Sequence, residues 1–334
     1  SNIIYSLYED VKGHIWIGTH KGLTVYDGKD FRTYTREDGL PNNIIKSICE
    51  DAFGRLWIGT QYGGLCMLDN FAKEKAEFVP YDINFGGSSN VSVNKVIETP
   101  DAKIYVATNQ GLAEIFNGTL KTYSKKDGLE GRNIYDLHED VNGDIWLATS
   151  SGLSQFNGKH FKNYNKKSGF PIDAALTLEE DKNNNMWIGT SRNGVVRLNI
   201  NTFEYKIYNT DKGLSEDIVL SILEDKNDNI WVGTKGGGIN KFKGISFTYF
   251  GEKEGLKNEK INGILQDSED NYWFATRGGL IRYNGVDSFK IYNKNSGLPV
   301  DYTTTVYEDK DENVWVGTLI GLAKIVDGEI EKVY

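Results

Sequence analysis

Residues 2–23 read NIIYSLYEDVKGHIWIGTHKGL, residues 43–65 read NIIKSICEDAFGRLWIGTQYGGL, and residues 217–239 read DIVLSILEDKNDNIWVGTKGGGI. The shared kernel is an aromatic, an apolar residue, Gly or Ala, and Thr. It recurs as WIGT from Trp16, WIGT from Trp57, YVAT from Tyr105, WLAT from Trp146, WIGT from Trp187, WVGT from Trp231, WFAT from Trp273 and WVGT from Trp315, eight copies in 334 residues. Successive copies are 41, 48, 41, 41, 44, 42 and 42 residues apart, so the repeats fill the chain and leave no room for a second domain. A period near 42 is that of a four-stranded propeller blade.

One copy shows how the unit is built. Residues 2–10 form a β-rich run, Val11-Lys12-Gly13 turns, and residues 14–19 make a second strand; residues 23–26 and 31–34 supply a third and a fourth. Asp27-Gly28, Asn117-Gly118, Asn157-Gly158 and Asp327-Gly328 are two-residue hairpin signals, because both central positions of such a turn favour positive φ. The first and second strands lack clean polar/apolar alternation, which predicts burial on both faces. Helical solenoids are excluded, since no copy holds ten residues with apolar groups at helical spacing, and eight equal copies have no natural division between the two sheets of a sandwich. The expectation is an all-β chain forming one β-propeller over residues 1–334, with eight four-stranded antiparallel blades at about 1–41, 42–89, 90–130, 131–171, 172–215, 216–257, 258–299 and 300–334. A seven-bladed ring would leave one apolar sheet unpacked and is disfavoured.

Composition narrows the function classes. Lys+Arg 38 against Asp+Glu 47 gives a net charge of −9, which argues against nucleic acid or an anionic membrane surface as partner. No apolar run is long enough to span a bilayer, and Ser1-Asn2-Ile3-Ile4 lacks the features of a signal peptide. Cys49 and Cys66 do not make a disulfide framework and read as small buried hydrophobes.

The pattern N-x-I-x-S-I-x-E-D-x-x-G-x-I-W-I-G-T-x-x-G-L, with Asp38-Gly39-Leu40-Pro41 downstream, resembles the two-component regulator propeller repeat. The resemblance covers essentially the whole chain. It implies a β-propeller from the extracytoplasmic sensor region of a bacterial hybrid histidine kinase or a related surface protein, many of which respond to oligosaccharides. Such sensors carry about two rings of repeats, a membrane helix and a kinase; this sequence has one ring's worth and neither of the others, and Ser1-Asn2 reads as the tail of an interblade linker. A fragment cut at a blade boundary is therefore expected.

Candidate chemistry is sparse. Asp225-Lys226-Asn227-Asp228-Asn229 and Asp309-Lys310-Asp311-Glu312-Asn313 begin like a calcium loop but lack its twelfth-position Glu, so turn chemistry is the expected role. The tryptophans, each beside Gly or Ala, are expected in the core rather than as sugar-stacking platforms. His14, His20, His138 and His160 fall at unrelated places in their repeats and suggest neither a zinc site nor a nucleophile–base pair. The repeated Glu-Asp pair, as at 9–10 and 50–51, marks architecture. No cofactor and no metal are called for, and no enzymatic activity; a propeller lyase or hydrolase is the least favoured alternative.

Function is expected where copies differ on a constant frame. The loops from second to third strand and the linkers into the next blade should open at one face. They supply the predicted ligand-binding residues His20, Gln61, Tyr62, Asn109, Arg132, Arg192, Lys235, Arg277 and Tyr302, a mix of amide, cationic and aromatic groups suited to an oligosaccharide at a channel mouth. A protein partner, including the remainder of a parent chain, is the alternative. The longer second copy, with FAKEKAEFVPYDINFGGSS at residues 71–89, reads equally as a binding segment, in which Tyr81 and Phe85 would be the residues to watch, or as a tolerated insertion.

Overall fold

The computed structural model describes residues 3–69, 76–86, 90–251, 254, 256 and 260–334. The fold is an all-β propeller of eight four-stranded antiparallel sheets, each in simple sequential strand order. In blade 1 these are β1 (Ile4–Glu9), β2 (Ile15–Thr19), β3 (Leu23–Tyr26) and β4 (Phe31–Tyr34). The other seven blades occupy residues 45–81, 93–123, 134–164, 175–208, 219–250, 261–292 and 303–333. Two compact units, Ser1–Asn163 and Tyr164–Tyr334, contain four blades each. Within each unit the first strands of successive blades pack side by side. Among the described residues no helix is long and apolar enough to cross a membrane.

The kernel tetrapeptide lies in the second strand of each blade, and this strand is buried throughout. All seven tryptophans are at most 1% exposed. They are wedged between sheets: Trp16 packs with Leu56 and Ile58 of blade 2, Trp57 with Ile104 and Val106 of blade 3, and Trp231 with Tyr272 and Phe274 of blade 7. The small kernel residue makes room for the neighbour. A Cβ on Gly59 would lie 2.4 Å from Val93 Cγ1, and one on Gly233 would lie 2.6 Å from Ile261 Cγ2, each the first residue of the next blade. Truncating a tryptophan in such a site costs about 3–5 kcal/mol.

First strands differ from expectation. Their burial pattern is one buried residue followed mostly by half-buried ones, as in Ile4–Glu9, because each is the edge strand of its sheet. Ile3 precedes the first strand, which runs over Ile4–Glu9; Asn2, with which the expected run began, lies outside the described residues.

The Glu-Asp pair performs two separate tasks. Its Asp binds the tryptophan six residues on: indole Nε1–H donates to the carboxylate in Asp10–Trp16, Asp51–Trp57, Asp140–Trp146, Asp181–Trp187, Asp225–Trp231, Asp267–Trp273 and Asp309–Trp315, at 2.7–2.9 Å. Its other oxygen accepts backbone N–H groups of the turn, as from Lys12 and His14 onto Asp10. In these turns donors occupy the carboxylate oxygens, which is the turn role the sequence suggested. Blade 3 carries Thr99 and Tyr105 at the two positions, so indole and carboxylate are absent together.

The Glu reaches back to the preceding blade and accepts a turn N–H there: Glu50 from Val11, Glu98 from Ala52, Glu224 from Lys182 and Glu308 from Ser268, with Gln266 serving Lys226. Glu139 faces a turn in which Pro100 takes the donor's position and has no N–H to give. Burial pushes the Glu50, Glu139 and Glu224 carboxyls up from the ordinary range.

The insertion in blade 2 keeps its fourth strand, Phe78–Tyr81, paired with Leu65–Leu68; residues 70–75 and 87–89 of the insertion lie outside the described residues. Tyr81 and Phe85, the insertion's aromatic residues, are half-buried and pack against the core between blades 2 and 3. Tyr81 packs on Trp57 with ring centroids 5.0 Å apart, and Phe85 joins the cluster between blades 2 and 3. An insertion beside an apolar sheet edge gains more by covering that edge than by standing in water.

Candidate ligand-binding site

Two repeated bonds build the edge on which the predicted residues stand. The kernel Thr hydroxyl donates to the glycine carbonyl three or four residues on in all eight blades, from Thr19–Gly22 to Thr318–Gly321, closing the loop between second and third strands. The next residue's N–H then donates to the carbonyl of the residue just before its own blade's first strand: His20 to Ile3, Gln61 to Ile44, Asn109 to Ser92, Ser191 to Ala174, Lys235 to Ile218. Loop and linker thus open at the same end of each blade.

At that end the first strand of every blade carries a β-bulge. In blade 1, Ile4 pairs with Thr19 and Ser6 with Gly18, leaving Tyr5 unmatched. The unmatched residues elsewhere are Lys46, Asn94, Tyr135, Leu176, Leu220, Asn262 and Thr304. A bulge re-aims its extra side chain without disturbing the rest of the ladder. Asn94 Nδ2 donates to the Ile134 carbonyl of the next blade at 2.7 Å, and Asn262 Nδ2 to that of Thr303 at 2.7 Å.

In the first unit His20 is exposed, and its Nδ1 lies 3.2 Å from the Tyr5 hydroxyl. Lys46 Nζ sits 3.8 Å from the centroid of the Tyr5 ring. Burial pushes the Lys46 ammonium below the ordinary lysine range. Tyr62 and Asn109 are joined through Ser92, whose Oγ accepts the Tyr62 N–H and whose N–H donates to Asn109 Oδ1. The Tyr62 ring is 55% exposed, on a residue at φ 64°, while the Asn109 amide is engaged in holding the loop. Gln61 is half-buried beside it. Arg132 is exposed next to Asn133, which accepts a bond from Asn94.

In the second unit Lys235 and Lys260 form a backbone bridge, and Lys260 Nζ donates to the Tyr302 hydroxyl at 3.3 Å. Arg192 and Arg277 are exposed and make no ion pair with a described residue. The nearby acids are engaged: Asp173 pairs with Lys166 at 2.6 Å, while Asp217 and Asp301 accept the N–H groups of Thr210 and Lys294. Arg192 and Arg277 are thus exposed cations on an edge where Asp173, Asp217 and Asp301 already have partners.

The structure groups His20 with two residues that the sequence reading missed, Tyr5 and Lys46, and groups Lys235 with Tyr302 through the linker residue Lys260. No sequence signal singled out Tyr5 or Lys46, since the residues on either side of the bulge also vary from copy to copy. Among the described residues no cluster of three His, Cys, Asp or Glu side chains could hold a metal ion.

These blades define a repeat propeller whose copies share frame bonds and differ at one edge. The family model for the two component regulator propeller matches residues 1–21, 39–62, 128–151, 169–192, 213–236, 255–278 and 297–319, and the chain belongs to that family. The unmatched copy is blade 3, the one without the Asp–Trp pair. No curated protein sequence matches the chain. Among solved structures, the chain is similar to an extracellular domain assigned to the hybrid two-component system BT3049 of B. thetaiotaomicron, at 23% identity and TM-score 0.62, covering 99% of this chain and 51% of that one. It also resembles PorZ, a surface component of the type-IX secretion system of Porphyromonas gingivalis, at 16% identity and TM-score 0.62, covering 92% and 50%. Virginiamycin B lyase from Staphylococcus aureus matches at 16% identity and TM-score 0.60, covering 82% and 91%. At these identities the likeness is one of fold. The chain spans about half the length of the BT3049 domain.

Proposed function

We propose that this propeller is a non-catalytic recognition module of an extracytoplasmic two-component sensor and that it binds an oligosaccharide at the edge where its bulges, loops and linkers meet. The observation that carries this reading is the division of labour between repeats: Asp–Trp, Thr–Gly and Glu–turn bonds recur from blade to blade, while the bulged residues range over Tyr, Lys, Asn, Leu and Thr and the loop residues vary beside them. Exposed rings and cations such as Tyr62, Arg192 and Arg277 suit stacking on sugars and hydrogen bonding to their hydroxyls. Calorimetry against an oligosaccharide panel tests it, with Arg192→Ala and Arg277→Ala as site probes. Binding that weakens in either variant supports the reading; failure of every oligosaccharide to bind overturns it.

A second reading has its own observation. Val11, Phe53 and Val141 stand 82%, 73% and 68% exposed on first-to-second-strand turns of the first unit, which suits docking of a protein partner. A monomer in solution that shows no association with the remainder of its parent chain speaks against it.

A further inference from the structure

We propose that Lys46, Tyr5 and His20 form a subsite for an anionic group, a carboxylate or a sulfate, carried on a sugar; this rests on the oligosaccharide reading above and narrows it to acidic saccharides. Lys46 is the bulged residue of its strand, and the bulge lays its ammonium 3.8 Å from the Tyr5 ring centroid, in a half-buried position. It forms no ion pair with any described residue, whereas Lys95 pairs with Asp136, Lys103 with Asp101 and Lys166 with Asp173. A partly desolvated cation without a counter-charge is unfavourable in the free protein and gains most from an incoming anion. Burial holding this ammonium below the usual lysine range is consistent with that.

The flanking groups complete the recognition set. The Tyr5 hydroxyl and His20 Nδ1 lie 3.2 Å apart, so between them they offer O–H and N–H donors beside the ammonium, and the His20 ring is open to solvent. An oxyanion placed there accepts from Nζ and from one of these donors, bonds stronger than those between neutral groups. The chain carries a net charge of −9, so general attraction to anions does not account for such binding.

Three disaccharides distinguish the possibilities by calorimetry: a neutral one, a uronate-bearing one and a sulfated one. At least tenfold tighter binding of a charged probe over the neutral one is expected, and the preferred probe identifies the anion. Lys46→Gln should abolish that preference, weakening the charged probe at least tenfold more than the neutral one, with the protein still folded by circular dichroism. Equal affinities in the unsubstituted protein, or a charge preference that survives Lys46→Gln, overturn the subsite. If no saccharide binds, the oligosaccharide reading fails by itself, and glucuronate and inorganic sulfate are then titrated while following the His20 ring protons by NMR. A saturable shift that disappears in Lys46→Gln sustains the anion subsite, and no saturable shift overturns it.

Discussion

Replacing Asp225 by Asn keeps volume and removes charge from a carboxylate that is 1% exposed. Its Oδ1 accepts from the N–H groups of Asn227 and Asn229 and from Asn229 Nδ2; its Oδ2 accepts from Asn229 Nδ2, Trp231 Nε1 and, across the blade boundary, the Tyr272 hydroxyl at 2.7 Å. Burial alone would raise this carboxyl's pKa, but the bonds from Trp231, Tyr272 and Asn229 outweigh it and hold the group below the ordinary range. An amide has one acceptor oxygen, so either rotamer turns its NH2 toward donors and leaves buried N–H or O–H groups unpaired. A loss of about 3–5 kcal/mol follows from breaking charge-assisted bonds in a buried site. Asp309→Asn should cost about 1.5–3 kcal/mol less, because Asp309 is partly exposed and lacks the tyrosine donor. Urea unfolding measures both variants, and a double-mutant cycle with Tyr272→Phe isolates the cross-blade bond. In the Asp225→Asn background, Tyr272→Phe should be nearly neutral because it removes an orphaned hydroxyl, giving a coupling of about 1.5–3 kcal/mol. Additive costs, or an Asp225→Asn penalty below about 1 kcal/mol, would refute the assignment of that carboxylate as the blade's polar anchor.

Two further predictions concern the same anchors. In blade 3, Tyr105→Trp alone should destabilise by about 1–3 kcal/mol through overpacking and an unpaired indole N–H, while Thr99→Asp with Tyr105→Trp should recover most of that loss in chemical denaturation. Asp10 and Asp225 have lowered carboxyl pKa values when folded, so their stabilisation is present above the unfolded carboxyl value and is lost as pH falls through the folded ones. Glu50, Glu139 and Glu224 are raised, favour folding when protonated, and lose that contribution as pH rises. Asp225→Asn should therefore flatten the acid limb of stability below about pH 4, whereas Glu224→Gln should flatten the change just above it; thermal unfolding midpoints across pH 2–7 check both.

The repeat period, the four strands per blade and the burial of the tryptophans were legible because each expresses local spacing and side-chain size. The partners of the Glu-Asp pair were not. The Asp–Trp bond joins residues six apart across a turn and strand, and the Glu bonds join residues some forty apart, so neither alters any local propensity; only the joint loss at Thr99 and Tyr105 hinted at the first. The bulges left no compositional trace, since Tyr5, Lys46, Leu176 and Asn262 share nothing but position. That is why His20 was legible as a candidate and its companions Tyr5 and Lys46 were not. The packing of Tyr81 and Phe85 was not legible either, because aromatic residues in a long insertion read alike whether they cover an apolar sheet or stand in solvent.

An unmatched residue at the head of each first strand makes this chain tolerant of change in a particular way. Exchanging Tyr5 or Lys46 alters no ladder bond of its own sheet, whereas Asn94 and Asn262 also tie their blade to the next, so side chains can diverge most freely at the copies that make no such tie. A molecule assembled from near-identical parts thereby keeps positions at which one copy can depart from the others while the sheets themselves stay the same.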